Sequence, residues 1–109
     1  MLPKPFKLPY QETALLKKTG QRLRTGSLEL IYQKTPDTAW RFMVFVPKRV
    51  VKLATSRNRL KRIIYEQIRL QTTHLVGGGK ALLKLTRVKP EEETLRDLKE
   101  VLEKSIKIA

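Results

Sequence analysis

Trp40-Arg41-Phe42-Met43-Val44-Phe45-Val46 lies between a turn signal, Thr35-Pro36-Asp37-Thr38, and Pro47. Its aromatic and β-branched content predicts a strand over Trp40 to Val46. Alternate side chains of a strand point to opposite faces, so Trp40, Phe42, Val44 and Val46 share one face and Arg41, Met43 and Phe45 the other. Both faces are largely apolar, which predicts a strand covered on both sides. Ser27 to Lys34, rich in Leu, Ile and Tyr, predicts the strand before the turn, and so short a connection predicts that the two pair antiparallel.

The flanking elements follow from punctuation and period. Pro3, Pro5 and Pro9 predict an irregular, extended arm over residues 1–9, with Phe6 and Leu8 docking on the body. Residues 11–18 predict a short helix with Ala14, Leu15 and Lys18 at helical spacing, ended by Gly20. Gln21 to Thr25 predicts a short strand broken at Thr25-Gly26. Gly77-Gly78-Gly79 permits a turn before a buried strand over Lys80 to Arg87. Pro90 and Glu91 to Glu93 open a last helix with Leu95, Leu98, Leu102 and Ile106 on its inner stripe; early acids and late lysines suit the helix dipole.

Between these elements, Arg57-Asn58-Arg59-Leu60-Lys61-Arg62-Ile63-Ile64-Tyr65-Glu66-Gln67-Ile68-Arg69 predicts a helix running to about Thr72, with Thr55 or Ser56 as its N-cap. At about 100° per residue, Leu60, Ile63, Ile64 and Ile68 fall on one side, and Asn58, Lys61, Arg62, Tyr65 and Arg69 on the other. The second side offers donors that can bridge phosphate oxygens; the competing reading is a merely solvated face. Exposed amides at the helix start would add to the attraction for a phosphate.

The charge distribution favours the first reading. The 109 residues hold 24 Lys and Arg against 10 Asp and Glu, a formal net charge of +14 that favours a polyanionic partner. Pro47 to Arg69 alone carries eight basic residues (Lys48, Arg49, Lys52, Arg57, Arg59, Lys61, Arg62, Arg69) and one acid, Glu66. Uniform solubilising charge would not concentrate so. An anionic membrane is the rival partner, but a membrane-binding basic helix needs bulky apolar residues opposite its charges, or a long apolar run, and neither is present.

No constellation for catalysis is evident. Without cysteine, disulfides, thiolate catalysis and cysteine-based zinc sites are excluded. His74, the single histidine, has no acidic neighbour in sequence to orient it as a general base. Glu12, Glu29, Asp37 and Glu66 show no metal-ligand spacing, so no protein-bound metal site is assigned. Gly79-Lys80-Ala81 lacks the hydroxyl of a phosphate-binding loop. One domain, with no secretory signal in Met1 to Lys7, predicts a cytoplasmic protein.

Arg57-Asn58-Arg59-Leu60-Lys61-Arg62, preceded by Lys48-Arg49 and Ala54, resembles the Arg-Asn-Arg signature of the protein component of bacterial ribonuclease P. The likeness extends more loosely over nearly the whole chain. It implies an α+β fold, a single-domain α/β sandwich of helix, three strands, helix, strand and helix, with an unusual left-handed crossover through the signature helix. It implies that ribonuclease P RNA, with bound Mg2+, cleaves precursor tRNA at its 5′ end, and that the protein binds this RNA and the 5′ leader. No protein partner is implied. Arg57, Asn58, Arg59, Lys61 and Arg62 match the signature region that contacts the RNA, with Arg69 further along the helix. Lys48, Arg49 and Lys52 match the basic loop before it. The resemblance implies a leader cleft between the sheet and the signature helix, for which Phe42, Val44, Tyr65 and Tyr10 are the candidate walls.

Several positions depart from the family pattern. Met43-Val44-Phe45-Val46-Pro47 stands where many members have Gly-Phe-Ser-Val-Ser. Tyr65 stands at a frequent arginine, so base stacking could replace a phosphate contact. An aromatic usual in the first helix falls near Thr13, where Tyr10 or Phe6 could supply the ring, and Lys80 stands in place of an aspartate. The alternative function is a noncatalytic structural or ribosome-associated RNA-binding protein, which would bind RNA without stimulating cleavage.

Overall fold

The computed structural model describes residues 8–36, 39–71 and 77–105. The elements run α1 (Tyr10–Thr19), β1 (Gln21–Thr25), β2 (Leu28–Thr35), β3 (Trp40–Phe45), α2 (Ala54–Gln71), β4 (Gly78–Leu85) and α3 (Glu91–Ser105). That is the expected order of helix, three strands, helix, strand and helix. Phe6, expected to dock on the body, His74, and Ile106, expected on the inner stripe of the last helix, lie outside the described residues.

The sheet order is β1-β2-β4-β3. β1 and β2 form an antiparallel hairpin, β2 pairs antiparallel with β4, and β4 runs parallel to β3. The expected β2–β3 pair is therefore not formed, because β4 lies between them. The physical reason is burial. β4 buries Ala81, Leu83 and Leu85 on one face and Leu82 on the other, which suits a central strand, whereas β3 leaves Phe45 41% exposed and so tolerates an edge.

Two of the glycines before and within β4 have definite work. Gly77 has φ +74°, a left-handed conformation that side chains rarely adopt. At Gly79 an added Cβ would lie 2.3 Å from the Gln33 carbonyl oxygen and 2.6 Å from the Trp40 ring, so the central strand passes its neighbours only without a side chain.

Strand alternation sorts the core into two layers. One face brings Leu28, Leu30, Trp40, Phe42, Val44, Ala81, Leu83 and Leu85 under α2 and α3, which contribute Ile64, Tyr65, Ile68, Leu98, Val101 and Leu102. The other face brings Ile31, Leu82 and Met43 against Leu16 of α1 and Leu8 of the arm. Leu8 docks as expected, its amide donating to the Phe42 carbonyl at 2.8 Å. On α1 the inward residues are Thr13 and Leu16, while Ala14 and Leu15 are exposed, a one-residue rotation from the expected stripe.

Polar contacts fix both layers. Glu12 of α1 meets Arg41 of β3 through two hydrogen bonds (3.1 and 3.2 Å) and Lys80 of β4 at 2.8 Å. These cations, led by the Lys80 hydrogen bond, hold the Glu12 carboxyl below its ordinary 4.5. On α3, Asp97 accepts from the Ser27 amide (3.0 Å) and hydroxyl (2.8 Å) and pairs with Lys89 at 3.3 Å, tying the β1–β2 turn to the helix. Burial alone would raise the Asp97 carboxyl, but the Ser27 and Lys89 contacts outweigh it and leave it lowered.

Candidate nucleic-acid interface

α2 begins at Ala54, so Thr55 and Ser56 lie inside its first turn instead of capping it. The Arg57 amide donates to the Leu53 carbonyl at 3.0 Å, which puts Leu53 at the cap. The Arg57 guanidinium bends back and donates to the carbonyls of Val51 (2.9 Å) and Lys52 (2.8 Å). The first arginine of the signature thus braces the loop that leads into its own helix.

The remaining signature residues face outward to different degrees. Asn58, Arg59 and Arg62 are exposed, and Lys61 is half-buried. Arg59, its side chain 73% exposed, lies 3.5 Å from Glu91 at the start of α3. Arg69 is paired with Glu66. Upstream, the Pro47 carbonyl accepts the amides of Val50 and Val51, both at 3.0 Å, and Val51 is buried. That anchored turn leaves Lys48, Arg49 and Lys52 exposed beside the helix start. Loop and first helical turns therefore form one cationic surface.

Among the described residues, the space between the sheet and α2 is packed core. Phe42 (0% exposed), Val44 (3%) and Tyr65 (5%) are buried there with Ile64 and Ile68. Tyr65 belongs to the inner face, contrary to its expected place among the outward residues, and base stacking by it is ruled out. Its phenol oxygen accepts the Val44 amide at 2.9 Å, an amide of an edge strand that points away from β4. Burial pushes the Tyr65 hydroxyl above its ordinary 10.0 even though the Val44 contact opposes the shift. Leu60 and Ile63 are only partly buried, so the true inner stripe is Ile64, Tyr65 and Ile68.

A groove does exist, on the opposite face of the sheet. Tyr10, Thr13 and Lys17 of α1 form one side, and Met43, Phe45 and Leu82 form the floor and other side. Tyr10 is 74% exposed and Phe45 41%, giving two accessible rings. Tyr10 precedes Thr13 by three residues and so shares its side of the helix, supplying a ring where Thr13 has none. Strand alternation had already separated Met43 and Phe45 from Trp40, Phe42 and Val44. What it could not show was that α1 covers that second face only in part. The missed residues are Lys17, Met43, Phe45 and Leu82.

Along this face the register aligns Arg24, Glu29, Lys84 and Phe45 in one row across all four strands. Glu29 is engaged by Arg24 at 3.2 Å and Arg22 at 3.6 Å, so the row's carboxylate is neutralised by arginines at the sheet edge. The row ends at Phe45, the last residue of β3, three residues before Lys48. Among the described residues no group of His, Cys, Asp and Glu is placed to hold a metal ion, and no helix is long and apolar enough to cross a membrane.

Comparison with known proteins bears on this arrangement. The family model for ribonuclease P matches residues 11–109. A Staphylococcus aureus RNase P protein, a mutant with defective mRNA degradation activity, superposes with a TM-score of 0.84 at 16% identity, covering 94% of this chain and 91% of that one. The RNase P protein from Thermotoga maritima gives 0.78 at 20% identity, with 90% and 96% covered. A structure of the Thermotoga maritima protein in complex with 1-(4-fluorophenyl)-2-thiourea gives 0.67 at 27% identity, with 86% and 87% covered. No curated protein sequence matches the chain.

Proposed function

The chain belongs to the ribonuclease P protein family, and from that premise we propose that it binds a catalytic ribonuclease P RNA and the single-stranded 5′ leader of precursor tRNA. The cleavage chemistry, with its Mg2+, resides in the RNA, and the protein works in the cytoplasm. Arg59, Lys61, Arg62, Lys48, Arg49 and Lys52 meet phosphates of the catalytic RNA, as point charges and bidentate donors. Asn58 contributes a neutral amide among them, and Arg57 acts chiefly by holding the loop in place.

The observation that carries the leader's position is the groove with two accessible rings. Unpaired bases stack on aromatic faces, and Tyr10 and Phe45 present such faces with Lys17 beside them. A strand lying there passes Lys84 and Arg24 and meets the cationic loop where β3 ends. The protein thereby lowers the Mg2+ requirement of the RNA by supplying fixed positive charge along the substrate's backbone.

Reconstitution with a bacterial ribonuclease P RNA at limiting Mg2+ tests the proposal. The expected result is faster 5′ maturation and tighter precursor binding, both diminished by Tyr10→Ala and Phe45→Ala when the leader is present and unaffected by them when it is absent. RNA binding with no stimulation of cleavage across several related RNAs would favour the structural RNA-binding alternative.

A further inference from the structure

α1 buries only Thr13 and Leu16, so apolar packing alone fixes its angle on the sheet poorly. Polar contacts at its two ends do the rest. In the last turn, the Arg22 guanidinium of β1 donates to the Lys17 carbonyl at 2.8 Å. In the first turn, Glu12 accepts from Arg41 of β3 at 3.1 and 3.2 Å and lies 2.8 Å from Lys80 of β4. β1 and β3 are the opposite edges of the sheet, so the helix is pinned on both sides of it.

The Glu12 pin is the better shielded of the chain's ion pairs. The side chains of Glu12, Arg41 and Lys80 are 28%, 29% and 24% exposed, so water screens them less than it screens the Arg59–Glu91 pair. Arg41 and Lys80 are register partners, and the next pair on that face, Met43 and Leu82, lines the groove. Tyr10 stands two residues before Glu12 and two after Leu8, which is buried with its amide on the Phe42 carbonyl. At 74% exposure, packing does little to hold the Tyr10 ring, and its place beside β3 is set by the anchors on either side.

We infer that Glu12 is a positioning residue for recognition of the leader: by bridging Arg41 and Lys80 it holds the first turn of α1 where Tyr10 and Phe45 share one groove. The inference rests on the function proposed above, since it concerns the groove assigned to the leader. A carboxylate here works against attraction, because it cancels one of two cations beside a surface meant for a polyanion. The cluster therefore serves geometry. Without the charge of Glu12 the bonds to both cations weaken, the start of α1 is tied only through Leu8, and Tyr10 parts from Phe45.

The test uses the complex reconstituted with bacterial ribonuclease P RNA and compares its affinity for precursor tRNA with that for the same tRNA lacking its leader. Glu12→Gln is expected to weaken precursor binding about tenfold and to leave leaderless tRNA binding as it was. Exchanging the charges, Glu12→Lys together with Lys80→Asp, again sets one carboxylate among two cations and is expected to restore most of the loss. Unchanged precursor binding in Glu12→Gln, equal weakening with both tRNAs, or no recovery in the exchanged pair would each overturn the inference. Met43, the single methionine besides Met1, reads the groove without RNA. Its labelled methyl signal is expected to be broadened more by a soluble paramagnetic probe in Glu12→Gln than in the native chain, and equal broadening would overturn the inference. Tyr10→Ala and Phe45→Ala that leave precursor binding intact would instead overturn the leader's assignment to the groove, and the Met43 signal would still report whether Glu12 sets its shape.

Discussion

The bond between the Val44 amide and the Tyr65 phenol joins the edge strand to the signature helix, and Tyr65→Phe removes it while keeping the ring. Val44 is 3% exposed and Tyr65 5%, so both are largely shut off from water in the native packing. An amide left unsatisfied in such a place costs about 1–3 kcal/mol. Because Tyr65→Phe keeps the ring and leaves the surrounding packing intact, the expected cost lies toward the lower end, about 1–2 kcal/mol. For a chain of this size each kcal/mol corresponds to a fall in Tm of about 4–8 °C.

Urea unfolding separates this from other effects. The midpoint should fall while the m-value stays constant, because the area exposed on unfolding is unchanged. RNA affinity measured well below the midpoint should keep its salt dependence, since Tyr65 touches no phosphate. An unchanged midpoint together with weakened RNA binding would refute the reasoning. It would mean that the phenol acts at the surface and that the Val44 amide finds its partner elsewhere.

The cationic surface makes its own predictions. Arg59→Ala and Arg62→Ala should each reduce the log–log salt slope of RNA binding by about 0.7–0.9, and an unchanged slope would remove those side chains from the phosphate contacts. Glu91→Gln frees Arg59 from its carboxylate, and filter binding should show RNA affinity rising by up to about fivefold. Asp97→Ala leaves the amide and hydroxyl of the fully buried Ser27 without their acceptor and should destabilise the fold by about 2–3 kcal/mol in denaturant titration. Glu12 and Asp97 are both depressed below their ordinary 4.5 and 3.8. Their contribution is therefore complete above those values and lost as pH falls through the lower folded ones. Acid unfolding followed by circular dichroism should begin at higher pH in Glu12→Gln, which no longer carries this charge.

The elements were legible because each is specified locally. Proline and glycine mark the ends, and period-2 or period-3.6 apolar patterns lie between them. Strand order was not legible, since the short β2–β3 connection favours direct pairing, and only the need to bury Ala81, Leu82 and Leu83 puts β4 between the two. Tyr65 misled for a related reason. At 100° per residue it adjoins the apolar stripe, and its hydroxyl assigns it to the polar side unless an unpaired amide on the partner strand is known to await it. The signature arginines stand out in the sequence by charge density, helical spacing and likeness to the family's signature, but that Arg57 turns inward to its loop depends on carbonyls positioned by the Pro47 turn.

The same burial argument positions the two surfaces of the candidate site. Once β4 is central and β3 is an edge, the face carrying Phe42 and Val44 must be sealed by the helix that connects them, because a parallel neighbour can be reached only by a crossover. The signature therefore sits on the sealed face, with its charges outward. The opposite face is left to α1, a helix of 10 residues that buries only Thr13 and Leu16, too short to cover four strands. Phe45 and Lys84 remain accessible beside it for that reason. A sequence that placed its longest helix in the crossover and its shortest over the other face has, by packing alone, a cationic surface on one side and an open groove on the other. The end of β3, where Phe45 gives way to Lys48 and Arg49, is where the two sides lie nearest in the chain, and an RNA bound as proposed would pass from one to the other there.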